Sequence, residues 1–287
     1  QVENHAAPAS PALAKTLKAA NDALQAKNYP EVLNKTREAE AMSPRSDYDN
    51  YVIHSMQMAA YGAQGNYPAA ATAIESVVDS PYLAASSKPQ LLRTLMSIYY
   101  QQKDYDKAME AYERNLKLQP AYVDSHMHKG YLLFRLKRYP EAVASLQEAV
   151  KLNPKHPDGY LLLGLTYLQA EQYGEAAHAF EEGIRYHPAN ADLHFNLGTA
   201  YDKLNRWDDV VKAMEAALRI DPKHADALNY LGYSYAERGI KVDEALGLIK
   251  RALDVKPDNG YYVDSLAWAF FKLGRLDEAL VEMKRAV

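Results

Sequence analysis

At 287 residues, 48% of them hydrophobic, the chain is too long for one small core, which leaves two domains or one repeat array. A net charge of −4 offers no global positive field to a phosphate backbone, so nucleic acid is set aside as a partner. The absence of cysteine removes disulfides, thiolate nucleophiles and cysteine-bearing zinc sites, and no apolar run approaches the roughly 20 residues of a membrane span.

The chain opens on residues 1–12, QVENHAAPASPA, which are small, broken by proline and without periodicity. They read as a flexible leader of the sort that follows a removed export signal, or as a cut within a cytoplasmic protein. From residue 13 the sequence is periodic. Gly130, Gly164, Gly198 and Gly232 stand 34 residues apart, and so do Pro120, Pro154, Pro188 and Pro222, and Tyr167, Tyr201 and Tyr235. Between these marks Tyr160, Leu163, Gly164 and Tyr167 fall at i, i+3, i+4 and i+7, one stripe of a helix. A second stripe at Tyr173, Ala176, Phe180 and Gly183 ends at Pro188, which cannot donate to a helix. Each unit is therefore predicted to be a helical hairpin that buries its stripes only by stacking on its neighbours.

In chain order the units are 13–46, 51–84, 89–122, 123–156, 157–190, 191–224, 225–259 and 260–287. The first three, spanning 13–122, are divergent. Ala20, Met58 and Met96 replace the glycine, Tyr82 replaces a proline, and four residues are inserted at 47–50 and at 85–88. Units 123–287 are regular, apart from one extra residue near Gly239–Val242 and a last unit that stops before its proline. Glycine at the eighth position and alanine at the twentieth (Ala142, Ala176, Ala245) are predicted to leave room where paired helices cross, with the aromatic at the eleventh filling the space beside them. Gly198→Leu is expected to overpack that crossing at a cost of about 1–3 kcal/mol.

The 34-residue hairpin and its Tyr-x-x-Leu-Gly-x-x-Tyr pattern, followed by Ala and Pro, resemble the tetratricopeptide repeat. The resemblance implies an all-α, right-handed α-solenoid whose concave face, lined by the first helix of each unit, binds proteins or peptides. The last two units, LNYLGYSYAERG…VDEALGLIKRAL and NGYYVDSLAWAFFKLGRLDEAL, are similar to exported tetratricopeptide proteins of Gram-negative bacteria. That similarity implies a periplasmic scaffold or adaptor in envelope or secretion-related assembly. The alternative is a regulatory subunit recruiting substrate to an enzyme such as a periplasmic protease.

Positions 2, 5, 9 and 12 of the first helices are not needed for internal packing and face the expected groove. They carry Tyr100 in unit three, Met127, Tyr131 and Phe134 in unit four, and Leu165 and Leu168 in unit five. Phe195, Tyr233, Trp268 and Phe271 continue the series. These residues are the candidate peptide-binding wall, although each taken singly could instead pack on a neighbouring helix. Asp124, Asp158, Asp192 and Asp226, also 34 apart, read as helix N-terminal caps or as an acidic groove edge. His156, His187 and His224 recur at loops between units and read as solvated; no metal or nucleotide motif accompanies them, so no cofactor and no catalysis are expected. Leu280, Met283 and Val287 lie where a further helix would pack, a possible surface for self-association.

Overall fold

The computed structural model describes residues 10–286, which hold sixteen helices and no strand. The chain divides into two compact units, Gln1–Ser125 and His126–Val287. In the first lie α1 (Pro11–Gln25), α2 (Tyr29–Glu40), α3 (Asp47–Ala63), α4 (Tyr67–Val78), α5 (Lys88–Gln101) and α6 (Tyr105–Leu118). The helix α7 (Val123–Arg135) carries the division and is followed by α8 (Tyr139–Leu152), α9 (Gly159–Gln169), α10 (Tyr173–Tyr186) and α11 (Ala191–Lys203). The remainder are α12 (Trp207–Ile220), α13 (Ala225–Arg238), α14 (Val242–Val255), α15 (Gly260–Lys272) and α16 (Leu276–Ala286). Each sequence unit is one antiparallel helix pair.

Local chemistry sets the ends. Ser10, Asn28, Asn66, Asp104, Asn190 and Asn259 each accept a backbone N–H of the following first turn. The turn inside every hairpin contains one residue in the left-handed region: Lys27, Gly65, Lys103, Lys137, Glu171, Asn205, Gly239 and Gly274. Only the seventh hairpin needs a second, Lys241, which absorbs its extra residue. Six of these nine residues carry a side chain and accept a strain that glycine avoids.

The eighth-position glycines meet a large residue from the second helix of their own hairpin. A methyl added at Gly130 would lie 2.6 Å from Leu146 Cγ, and one at Gly164 2.6 Å from Phe180 Cδ1. At Gly198 it would meet Met214 Cε at 2.6 Å, and at Gly232 Ile249 Cγ1 at 2.8 Å. Leu146, Phe180, Met214 and Ile249 are fully buried. The glycine therefore serves as a socket for a bulky partner, and at Gly232 it also meets the main chain of the twentieth-position Ala245.

Within the second unit, α9 lies beside α11 and α13 beside α15, while each second helix reaches the first helix of the next hairpin (α8–α9, α10–α11, α12–α13, α14–α15). A single apolar cluster runs through these layers from Ala176 to Ala279. The eleventh-position tyrosines do more than fill space, because the hydroxyls of three of them fasten a hairpin to its predecessor. Tyr99 donates to Glu75 Oε1 at 3.1 Å, Tyr201 donates to Glu181, and Tyr167 accepts from Gln147 Nε2 at 2.8 Å.

These phenols resist ionisation. Burial pushes Tyr99 up to about 12, with Glu75 adding to the rise, and burial pushes Tyr112 to about 12. Tyr201, Tyr230 and Tyr262 are raised further, first by burial and then by hydrogen bonds to Glu181, Asp202 and Asp226. An unfolded tyrosine ionises near 10, so the unfolded chain releases protons first as pH rises and folding stability falls. The urea midpoint is expected to hold from pH 7 to roughly 9.5 and to decline through 10–12. A Tyr201→Phe/Tyr230→Phe variant should show a shallower alkaline slope; an unchanged slope would refute this account.

The two insertions of the first unit are built differently. The one at 47–50 opens α3, where Ser46 and Asp49 cap each other reciprocally and extend the helix by a turn. The segment 79–87 is the irregular stretch, held by Lys88 on Asp79 (2.6 Å) and by Arg114, which spans Glu75 and Asp79 at 2.9 and 3.0 Å. Those hydrogen-bonded cations hold the Asp79 carboxyl below its usual range. Tyr82, standing where other units carry proline, packs edge-on against Tyr48 at 5.1 Å. At the other end, α1 begins at Pro11, so the helix reaches into the expected 1–12 leader; residues 1–9 of that leader lie outside the described residues.

Candidate functional site

Of the ten expected wall residues, Tyr100 lies in the first unit and nine in the second. Met127 departs from the expectation, being only 6% exposed. The twelfth-position rings of Tyr100 and Phe134 lean on the start of their own second helix, 6.0 Å from Tyr105 and 6.1 Å from Tyr139. Leu165, Leu168 and Phe195 are half-buried against the core of the second unit. Phe195 also sits 6.1 Å from Tyr230, edge to face, and 5.1 Å from the His224 ring. Tyr131 is exposed, with its hydroxyl taken by Arg135 Nη1 at 3.1 Å.

The remaining three converge. Tyr233 from α13 and Trp268 and Phe271 from α15 line one depression of about 560 Å³, closed on one side by Met283 of α16. Tyr233 is 43% and Phe271 51% exposed. Trp268 and Phe271 stack with centroids 5.3 Å apart and planes 24° apart. Trp268 Nε1 donates to Glu237 Oε2 at 2.7 Å, which fixes the indole, and Lys272 Nζ lies 5.1 Å from its centroid. Glu237 and Asp264 complete the rim. Burial raises the Tyr233 phenol, and the fields of these two carboxylates raise it further.

Asp158, Asp192 and Asp226 of the aspartate ladder do not cap helices through their side chains. His224 caps α13 instead: its Nδ1 accepts from Ala227 N at 3.1 Å while its Nε2 faces Asp192 Oδ1 at 3.0 Å. The ring is thus tied into the structure, not solvated as the sequence suggested. Asp226 accepts from the Tyr262 hydroxyl and lies 3.6 Å from Lys256 Nζ. Asp192 and Asp226 therefore clasp successive hairpins. Asp158 precedes α9 without a side-chain capping bond, and Asp124 is exposed near the start of α7. The sequence pattern assigned no groove role to Glu237, Asp264 or Tyr230, and it placed Met283 only on the face expected for self-association. Asp264 occupies a fifth position, legible by the groove rule.

Among the described residues no group of three or more His, Cys, Asp or Glu side chains could hold a metal, and no helix is long and apolar enough to cross a membrane. The tetratricopeptide-repeat family profile matches residues 93–157, 161–222, 197–260 and 241–287. Among solved structures the chain is similar to MamA, with 26% identity and a TM-score of 0.53 over 57% of this chain and 95% of that one. Residues 41 to the end of MamA from Desulfovibrio magneticus RS-1 give 21% identity and a TM-score of 0.55 over 61% and 99%. YrrB, a TPR protein with an unusual peptide-binding site, gives 22% and 0.50 over 62% and 92%. The last two likenesses bear on the fold alone. No curated protein sequence matches the chain.

Proposed function

Since the chain belongs to the tetratricopeptide-repeat family of right-handed α-solenoids, whose members generally mediate protein–protein interaction and are typically non-catalytic, we propose that it is a scaffold that grips a segment of a partner protein on the inner helices of its second unit. The observation that carries the reading is the open aromatic depression formed by Tyr233, Trp268 and Phe271. Other exposed rings, such as Tyr67 and Tyr261, stand outside this depression, whereas these three converge on it, and aromatic anchors in a concave site are where binding energy concentrates. Leu165, Leu168 and Phe195 extend an apolar track toward α9 and α11. We further propose an exported setting, in envelope or secretion-related assembly, supported by the similarity of the last two units to exported relatives and by the composition of residues 1–12.

A photo-crosslinking side chain placed at Phe271 should capture a discrete partner, while the same group at Lys212, exposed on α12, should not. Equal yields from both positions would remove the assignment. For the captured partner, Trp268→Ala is expected to weaken binding by about 30-fold, the scale of a central aromatic anchor.

A further inference from the structure

Resting on the peptide-binding reading above, we infer that the Tyr233–Trp268–Phe271 depression selects a lysine or arginine side chain of the partner, seated over aromatic rings between Glu237 and Asp264. Most acidic residues close by already have a cation or a donor. Asp202 has Arg238 and the Tyr230 hydroxyl, and Asp226 has Lys256 and the Tyr262 hydroxyl. Glu237 and Asp264 differ: among the described residues neither has a basic side chain within ion-pair distance, and Glu237 receives only the neutral indole N–H of Trp268. Both carboxylates act on the Tyr233 ring, as the raised phenol shows.

Two negative charges beside exposed aromatic faces create a local potential that an incoming carboxylate would meet as repulsion and a cation as attraction. The surface already behaves in this way within the chain, since Lys272 lays its ammonium over Trp268. No cation of the chain lies over Tyr233 among the described residues, so that face is available. The stem of a lysine or arginine, or an aliphatic neighbour in the partner, would cover Phe271 and Met283. The predicted partner is therefore a basic and aliphatic peptide segment, not an acidic one.

The test is selection of a random peptide library displayed on phage against the full chain, repeated with Glu237→Gln/Asp264→Asn. Glutamine keeps an acceptor for Trp268, and both carboxylates are exposed, so the fold is retained; thermal unfolding by circular dichroism checks this. The expected result is enrichment of lysine or arginine beside a large apolar residue, lost with the double variant. Selected synthetic peptides should bind that variant about tenfold more weakly and with a flatter dependence on salt. Peptides that bind in competition with one another and lose affinity on Phe271→Ala, yet show no basic preference or keep it with the double variant, overturn this inference while leaving the binding site standing. Failure to select any peptide sensitive to Phe271→Ala overturns both.

Discussion

Phe180→Ala lowers the stability of the protein by about 3–5 kcal/mol, the range for deleting a fully buried aromatic side chain. The ring fills the socket left by Gly164 between α9 and α10 and belongs to the apolar cluster of the second unit, so its loss empties a contact shared by neighbouring hairpins. In a stacked array the damage should be felt first where it is made. Amides of α9 and α10 are expected to lose hydrogen-exchange protection before those of α1 and α2. The pair should also be coupled. Gly164→Ala alone drives a methyl into the Phe180 ring, whereas in the Phe180→Ala background the same methyl enters vacated space. A loss under about 1 kcal/mol in urea unfolding, or additive effects in the double variant, would show that the socket is not what holds the hairpin.

Gly232→Ala destabilises by about 1–3 kcal/mol while Gly198→Ala is close to neutral, although both glycines hold the same place in consecutive hairpins. In each case alanine gains about 1 kcal/mol of helix propensity. What differs is the obstacle. At Gly198 the new methyl meets the far end of Met214, an unbranched side chain that can swing aside. At Gly232 it meets the main-chain oxygen of Ala245 at 2.9 Å, together with Ile249 at 2.8 Å and Leu248 Cβ at 3.2 Å. A carbonyl inside α14 cannot move without moving the helix. Thermal melts of the two variants decide the matter, and equal midpoints would mean that the α13–α14 crossing relaxes as easily as α11–α12.

The repeat was legible because the same packing problem is solved the same way several times. The glycine socket leaves its mark every 34 residues, and the paired helices and the extra residue at Gly239–Val242 could be placed by it. What a period cannot report is what lies across from a residue. Met127 and Tyr131 both occupy groove positions by spacing, yet one is covered and the other open. The aspartates looked like caps from their place near helix starts; their true partners, His224 and Tyr262, lie about a full repeat away in sequence. The carboxylate rim of the aromatic depression went unread for a related reason. Asp264 stands at a groove position but Glu237 does not, and the two form a rim only when α13 and α15 stand side by side.

The left-handed residue inside every hairpin turn has a consequence for how such a chain can drift. Lysine, glycine, glutamate and asparagine all occupy that corner, so the rest of the hairpin enforces its geometry and carries the strain that a side chain brings there. Mutation can therefore redecorate this edge of the array among glycine and side chains unbranched at Cβ, hairpin by hairpin, while the walls on either side stay under constraint.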